Sequence, residues 1–62
     1  MYVIKRTGTH GTIEVIGFLV KKTWNSSYWG TLGDAKRFRT REQAEKVVAK
    51  LPTKDNYFII EV

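Results

Sequence analysis

Only one stretch of this chain, Thr40 to Pro52, carries the grammar of a helix, so the rest must be built as strand or turn. Thr40 is a good N-cap, and Gln43 follows three residues later, completing a capping box of the Thr-x-x-Gln kind. Ala44, Val47, Val48 and Leu51 recur at i, i+3, i+4 and i+7, which predicts one apolar stripe laid against a sheet. Glu42 stands one turn before Lys46, the favourable order for such a pair. Pro52 pushes residue 51 out of helical geometry and ends the element. One helix covers one side of a sheet, and the other side is left to solvent or to a partner.

The sheet reads from four runs. Tyr2-Val3-Ile4-Lys5-Arg6 predicts a first strand, and Thr7 to Gly11, with glycines at both 8 and 11, a loop. Thr12 to Trp24 predicts a second, longer strand, rich in β-branched and aromatic residues. Its alternation breaks near Gly17, which marks a bulge or a close backbone approach. Asn25-Ser26-Ser27 is turn chemistry, and Tyr28 to Leu32 returns as a third strand. Asp34 can cap a short turn over Ala35 to Arg37. Tyr57 to Val62 is apolar on both faces, which places it inside the sheet, parallel to the first strand if it lies beside it. The expected fold class is α+β in the order β-β-β-α-β: a three-stranded antiparallel meander, one helix and a final strand, with the helix packed on one face of a four-stranded sheet. Residues 1–62 form a single small domain, since a chain this short buries only about 60% of its unfolded surface.

Charge narrows the partners. Eleven Lys and Arg against six Asp and Glu leave a net +5, which favours acidic partners. The surplus sits in residues 1–41, with eight basic against two acidic residues; residues 42–62 carry three against four. The absence of cysteine excludes a disulfide scaffold, a zinc knuckle and thiol catalysis. The longest apolar run, Val15 to Val20, is far short of the ~20 residues that span a bilayer. No apolar segment of the secretory kind follows Met1, so the expected compartment is the cytoplasm.

Catalytic constellations do not emerge. His10 is the single histidine, lies between glycines and reads as a solvated loop residue, with no neighbour spaced to orient it or share a metal. Glu42 and Glu45 share a helix face but belong to the first turn, where acids favour the helix dipole. The reading is therefore no enzyme, no metal, no cofactor and no small-molecule substrate. The stretch that interleaves cations with rings carries more: Lys21-Lys22-Thr23-Trp24, Tyr28-Trp29 and Lys36-Arg37-Phe38-Arg39, followed by Arg41. Trp24, Trp29, Arg37, Arg39 and Arg41 are the expected contacts for a protein partner, because aromatics and arginine dominate interface energetics. Lys21, Lys22, Arg37, Arg39 and Arg41 with a stacking Trp would instead suit a single-stranded nucleic acid. Tyr28 and Trp29 are adjacent in a strand and must point to opposite faces, so one ring is packed and one is free.

The pattern Tyr28-Trp29, then Ala35-x-x-Phe38-x-Thr40-x-x-x-Ala44, closing on Ala49-x-Leu51, resembles that of small orphan proteins of bacteriophages and related mobile elements. In that group a short aromatic strand leads through an Ala-x-x-Phe-x-Thr turn into one amphipathic helix. The resemblance covers residues 28–51 and carries over no catalytic or ligand residue. It implies a non-enzymatic accessory protein that binds and modulates a host protein, in the host cytoplasm. The basic charge departs from nucleic-acid mimics of that group, which are acidic. The functional expectation is a non-catalytic binding protein acting by protein–protein contact, with self-association as a further partner and direct nucleic-acid binding as the alternative.

Overall fold

The computed structural model describes all residues, 1–62, and shows an α+β fold with a four-stranded antiparallel sheet and one helix. In chain order the elements are β1 (Tyr2–His10), β2 (Ile13–Lys22), β3 (Ser27–Gly30), a 3-10 turn (Leu32–Asp34), α1 (Arg41–Val48) and β4 (Asn56–Glu61). In space the strands lie in the order β3-β2-β1-β4.

β1 and β2 differ from expectation at their junction. β1 continues through Thr7 to His10, and the loop shrinks to a tight turn at Gly11 and Thr12, where Gly11 takes φ +68°. Gly8 is a strand residue whose value is space: a Cβ there would collide with Asp55 Oδ1. The bulge in β2 falls between Leu19 and Lys21 rather than at Gly17. Gly17 instead gives close approach, with a Cβ only 3.3 Å from the Trp29 Cβ. Asp34 ends its short turn rather than starting it, and accepts a 3.3 Å hydrogen bond from the Thr31 hydroxyl.

β4 corrects two expectations. It pairs with β1 in antiparallel fashion, Tyr2 opposite Glu61 and Ile4 opposite Ile59. It also lies at the edge of the sheet, not inside it. The direction follows from the segment after β3. Lys36 N donates to Leu19 O at 2.8 Å, and Phe38 exchanges two 2.8 Å backbone bonds with Tyr2. That extended stretch has already carried the chain back to the start of β1, so α1 runs toward the other end and β4 must return against β1. The edge position shows that apolarity on both faces says nothing about which edges of a strand are hydrogen-bonded.

The helix starts as its sequence dictates. Gln43 N donates to Thr40 Oγ1 at 3.2 Å, while the Gln43 side chain accepts from Arg39 N, one residue ahead of the usual capping-box donor. Glu42 and Lys46 form no ion pair. The α-helix closes at Val48, and 3.0 Å bonds from Lys50 N to Val47 O and Leu51 N to Val48 O tighten its end. Leu51 is thereby carried into the core although it lies beyond the helix. Ile4, Leu19, Phe38, Ala44 and Leu51 form that core, with Tyr2, Trp29, Val47, Val48, Tyr57 and Ile59 packed against it.

Strand register assigns the two faces of the sheet, because directly opposed residues share a face. The inner face carries Ile4, Arg6 and Gly8 of β1, Val15, Gly17 and Leu19 of β2, Trp29 of β3, and Tyr57 and Ile59 of β4. The second face carries Val3, Lys5 and Thr7 of β1, Ile16 and Phe18 of β2, Tyr28 of β3, and Phe58 and Ile60 of β4. No helix is long and apolar enough to cross a membrane.

Candidate functional site: the second face of the sheet

The second face has the exposed apolar surface. Ile16 is 64% exposed, Tyr28 54%, Phe58 50% and Ile60 36%, all large side chains at same-face register positions on three strands. Val3, opposite Ile60 on this face, is fully buried. Val20, the extra residue of the bulge, comes within 3.1 Å of where a Gly30 Cβ would stand, so the bulge turns it toward this same side. Lys5 stands between Phe18 and Phe58, its direct cross-strand neighbours, and makes no ion pair. Lys21 faces Tyr28. A ring, a cation and a second ring thus form one row across β2, β1 and β4. Adjacent strands lie roughly 4.8 Å apart, which separates the two rings by about 10 Å.

The residues singled out from the sequence do not gather in one place. Trp24 is 92% exposed in the β2–β3 turn and touches no ring. Trp29 is the inward member of its pair: Arg6 sits 4.5 Å from its ring centroid, Tyr57 stacks at 6.0 Å and its Nε1 donates to Ser27 Oγ at 3.0 Å. The free ring is Tyr28. Arg37 and Arg39 are exposed and flank the inward Phe38, so strand alternation turns both toward the second face. Arg41 lies on the inner side, its guanidinium 5.6 Å from the Tyr2 ring. Lys21 is exposed, and Lys22 Nζ donates to the Thr23 carbonyl. Of the named residues, Lys21, Arg37 and Arg39 border the second face.

A polar cluster escaped the sequence reading. The Asp55 side chain is only 1% exposed, 3.3 Å from His10 Nε2 and 3.8 Å from the Arg6 guanidinium. His10 is therefore the last strand residue of β1 and not a loop residue; its side chain is solvated as expected, 42% exposed, but it stands against a buried carboxylate. Burial, and next the Asp55 charge, push the Tyr57 phenol above its usual 10.0, while Arg6 pulls it down. The Tyr57 hydroxyl donates to Pro52 O at 2.6 Å, and Arg6 Nε is buried without a partner. No pocket opens beside this cluster and no third ligating side chain joins it. Its observed work is structural: Asp55 sits directly over the Gly8 backbone and pins the 52–55 loop to the open end of the inner face. In sequence, Asp55 lies in the polar run Thr53 to Asn56 with nothing to distinguish it from turn chemistry.

The chain matches no family model, no curated protein and no solved structure.

Proposed function

We propose that this chain is a non-catalytic binding protein, in which α1 serves as a one-sided cover of the sheet and the second face docks a protein partner. One observation carries the reading: Ile16, Tyr28, Phe58 and Ile60 all lie exposed on one face of the sheet. Side chains of this size, grouped on the surface of so small a chain, are the composition of an interface centre. Arg37, Arg39 and Lys21 border it with positive charge, which suits a partner with an acidic rim. The resemblance of residues 28–51 to small phage products supports a host protein as that partner.

A second reading rests on the row Phe18–Lys5–Phe58. Flat rings with a cation between them suit single-stranded nucleic acid, in which bases stack and phosphates seek Lys and Arg. The aliphatic share of the face, Ile16, Val20 and Ile60, favours the protein.

A photo-crosslinking residue at position 16, compared with one at position 46 on the helix, tests both. Discrete adducts at 16 but not at 46, removed by protease and not by nuclease, are expected. Adducts removed only by nuclease move the assignment to the second reading. Equal labelling at both positions removes the second face from consideration.

A further inference from the structure

β4 has the composition of an interior strand and the position of an edge strand. Tyr57-Phe58-Ile59-Ile60 is an unbroken apolar run, and Glu61 is the strand's one charge. Its ladder with β1 runs from Asn56 to Glu61 without a register shift. β4 holds no proline and no lysine, and it has no strand on its other side. None of the backbone hydrogen bonds outside the regular elements involves residues 56–61, so the outer row of N–H and C=O groups has no partner within the chain. Natural sheets blunt such edges with bulges, prolines, charge or shortness. The opposite edge does so: β3 has four residues, and its pairing with β2 is broken by the bulge between Leu19 and Lys21. The two edges are built to different specifications.

We propose that β4 pairs antiparallel with β4 of a second copy about a twofold axis normal to the sheet, joining two four-stranded sheets into one of eight. The strand is self-complementary for this purpose. A twofold normal to the sheet keeps each face on its own side, so residues of like parity oppose each other. Centred on Ile59, the pairing sets Phe58 against Ile60 of the second copy and Glu61 against its Tyr57; centred on Phe58, it sets Tyr57 against Ile59 and Asn56 against Ile60. Neither register opposes two charges. Phe58 and Ile60, 50% and 36% exposed in the single chain, gain cross-strand neighbours in both. The assembly also stops at two, because the edges that remain are the four-residue β3 strands, whose pairing with β2 is irregular. Ile16 and Tyr28 stay open, so pairing extends the docking face instead of covering it.

Sedimentation of the full chain over a wide concentration range tests the proposal. The mass should double as concentration rises. Phe58→Lys with Ile60→Lys should hold it at the single-chain value with an unchanged circular dichroism spectrum, since both positions point to solvent and the new charges meet across the twofold. Ile16→Lys, on the same face but away from the edge, should leave the doubling intact. If Ile16→Lys also abolishes it, the copies associate face to face and the edge pairing is wrong. A single-chain mass at every concentration overturns the proposal outright. Amide exchange in the unsubstituted chain decides the matter if the double variant does not fold: protection at residues 56–61 should rise with concentration, and protection independent of concentration sinks the idea.

Discussion

The two faces of this sheet are made by the same four strands and end up in opposite states. On the inner face Ile4 and Leu19 are fully buried, Phe38 and Ala44 close over them, and even the cation of Arg6 is spent on the Trp29 ring. Of the large apolar side chains on this face only Ile13, at the open end, remains exposed. On the second face Val3 alone is buried, and Ile16, Tyr28, Phe58 and Ile60 are exposed. Strand composition does not make the difference, since both faces carry β-branched and aromatic residues in comparable measure. Cover makes it. Ala44, Phe38 and Leu51 join the core on the inner face and Asp55 lies over Gly8, whereas the stretch around Phe38 turns only Arg37 and Arg39 to the other side. The proposed docking role thus falls on the side of the layer away from the core, and substitutions should sort accordingly.

The largest contrast is between two phenylalanines. Phe38 is 6% exposed within the core cluster, and Phe38→Ala should cost about 3–5 kcal/mol. Phe58→Ala on the second face should cost much less, because half of that ring is in water already. Thermal denaturation of both variants measures the gap. Equal losses would mean that the second face is as much a core as the first.

Asp55→Ala comes next. It removes the partner of His10 and leaves the Arg6 guanidinium, whose Nε is already unpaired, without its carboxylate. A loss of about 2–3 kcal/mol is expected in urea unfolding. A loss under 0.5 kcal/mol would show that the cluster does not hold the 52–55 loop.

Tyr57 gives a pH-dependent version of the same test. Its phenol is raised in the folded state, so the unfolded chain ionises first as pH climbs. The stability this confers is fully present below pH ~10 and falls as pH rises through the folded value. Tyr57→Phe should remove that alkaline decline and, by losing the bond to Pro52 O, cost about 1 kcal/mol at neutral pH. An alkaline limb identical in both proteins would assign the decline to other groups. Thr40→Ala should also cost about 1 kcal/mol, through the bond Gln43 N makes to its hydroxyl. An unchanged melting temperature would place the helix start elsewhere.

The sequence revealed those parts of the fold that rest on local rules. Thr40, Gln43 and Ala44 read correctly because a cap and a stripe involve residues within a few positions of one another. The β2–β3 hairpin was legible for the same reason. The direction and place of β4 were not, because they depend on Phe38 bridging Tyr2, a contact 36 positions away that no periodicity announces. Asp55 was hidden in the same way: its partners, Gly8 and His10, are reached only once β1 and β4 are paired. As for the candidate face, alternation showed that one of Tyr28 and Trp29 must be free but not which. Register decides for Tyr28, since Trp29 lies opposite Leu19.

The smallest expected effect is the most exacting for the comparison between faces. Ile16 is 64% exposed, lies opposite Thr7 and is absent from the core and from the side chains packed on it. An isoleucine kept for stability would lose transfer free energy when made polar. One already in water has little to lose, and surface changes of this kind stay within about 0.5 kcal/mol. Ile16→Ser should therefore leave the urea midpoint almost unmoved while abolishing the discrete adducts formed from a crosslinker at position 28 on the same face. If the midpoint falls by an amount typical of a core residue, Ile16 is a structural side chain, and the second face loses its largest exposed aliphatic contact. If the midpoint holds and the adducts persist, the partner is gripped elsewhere, and the assignment of recognition to this side of the sheet fails while the account of its stability stands.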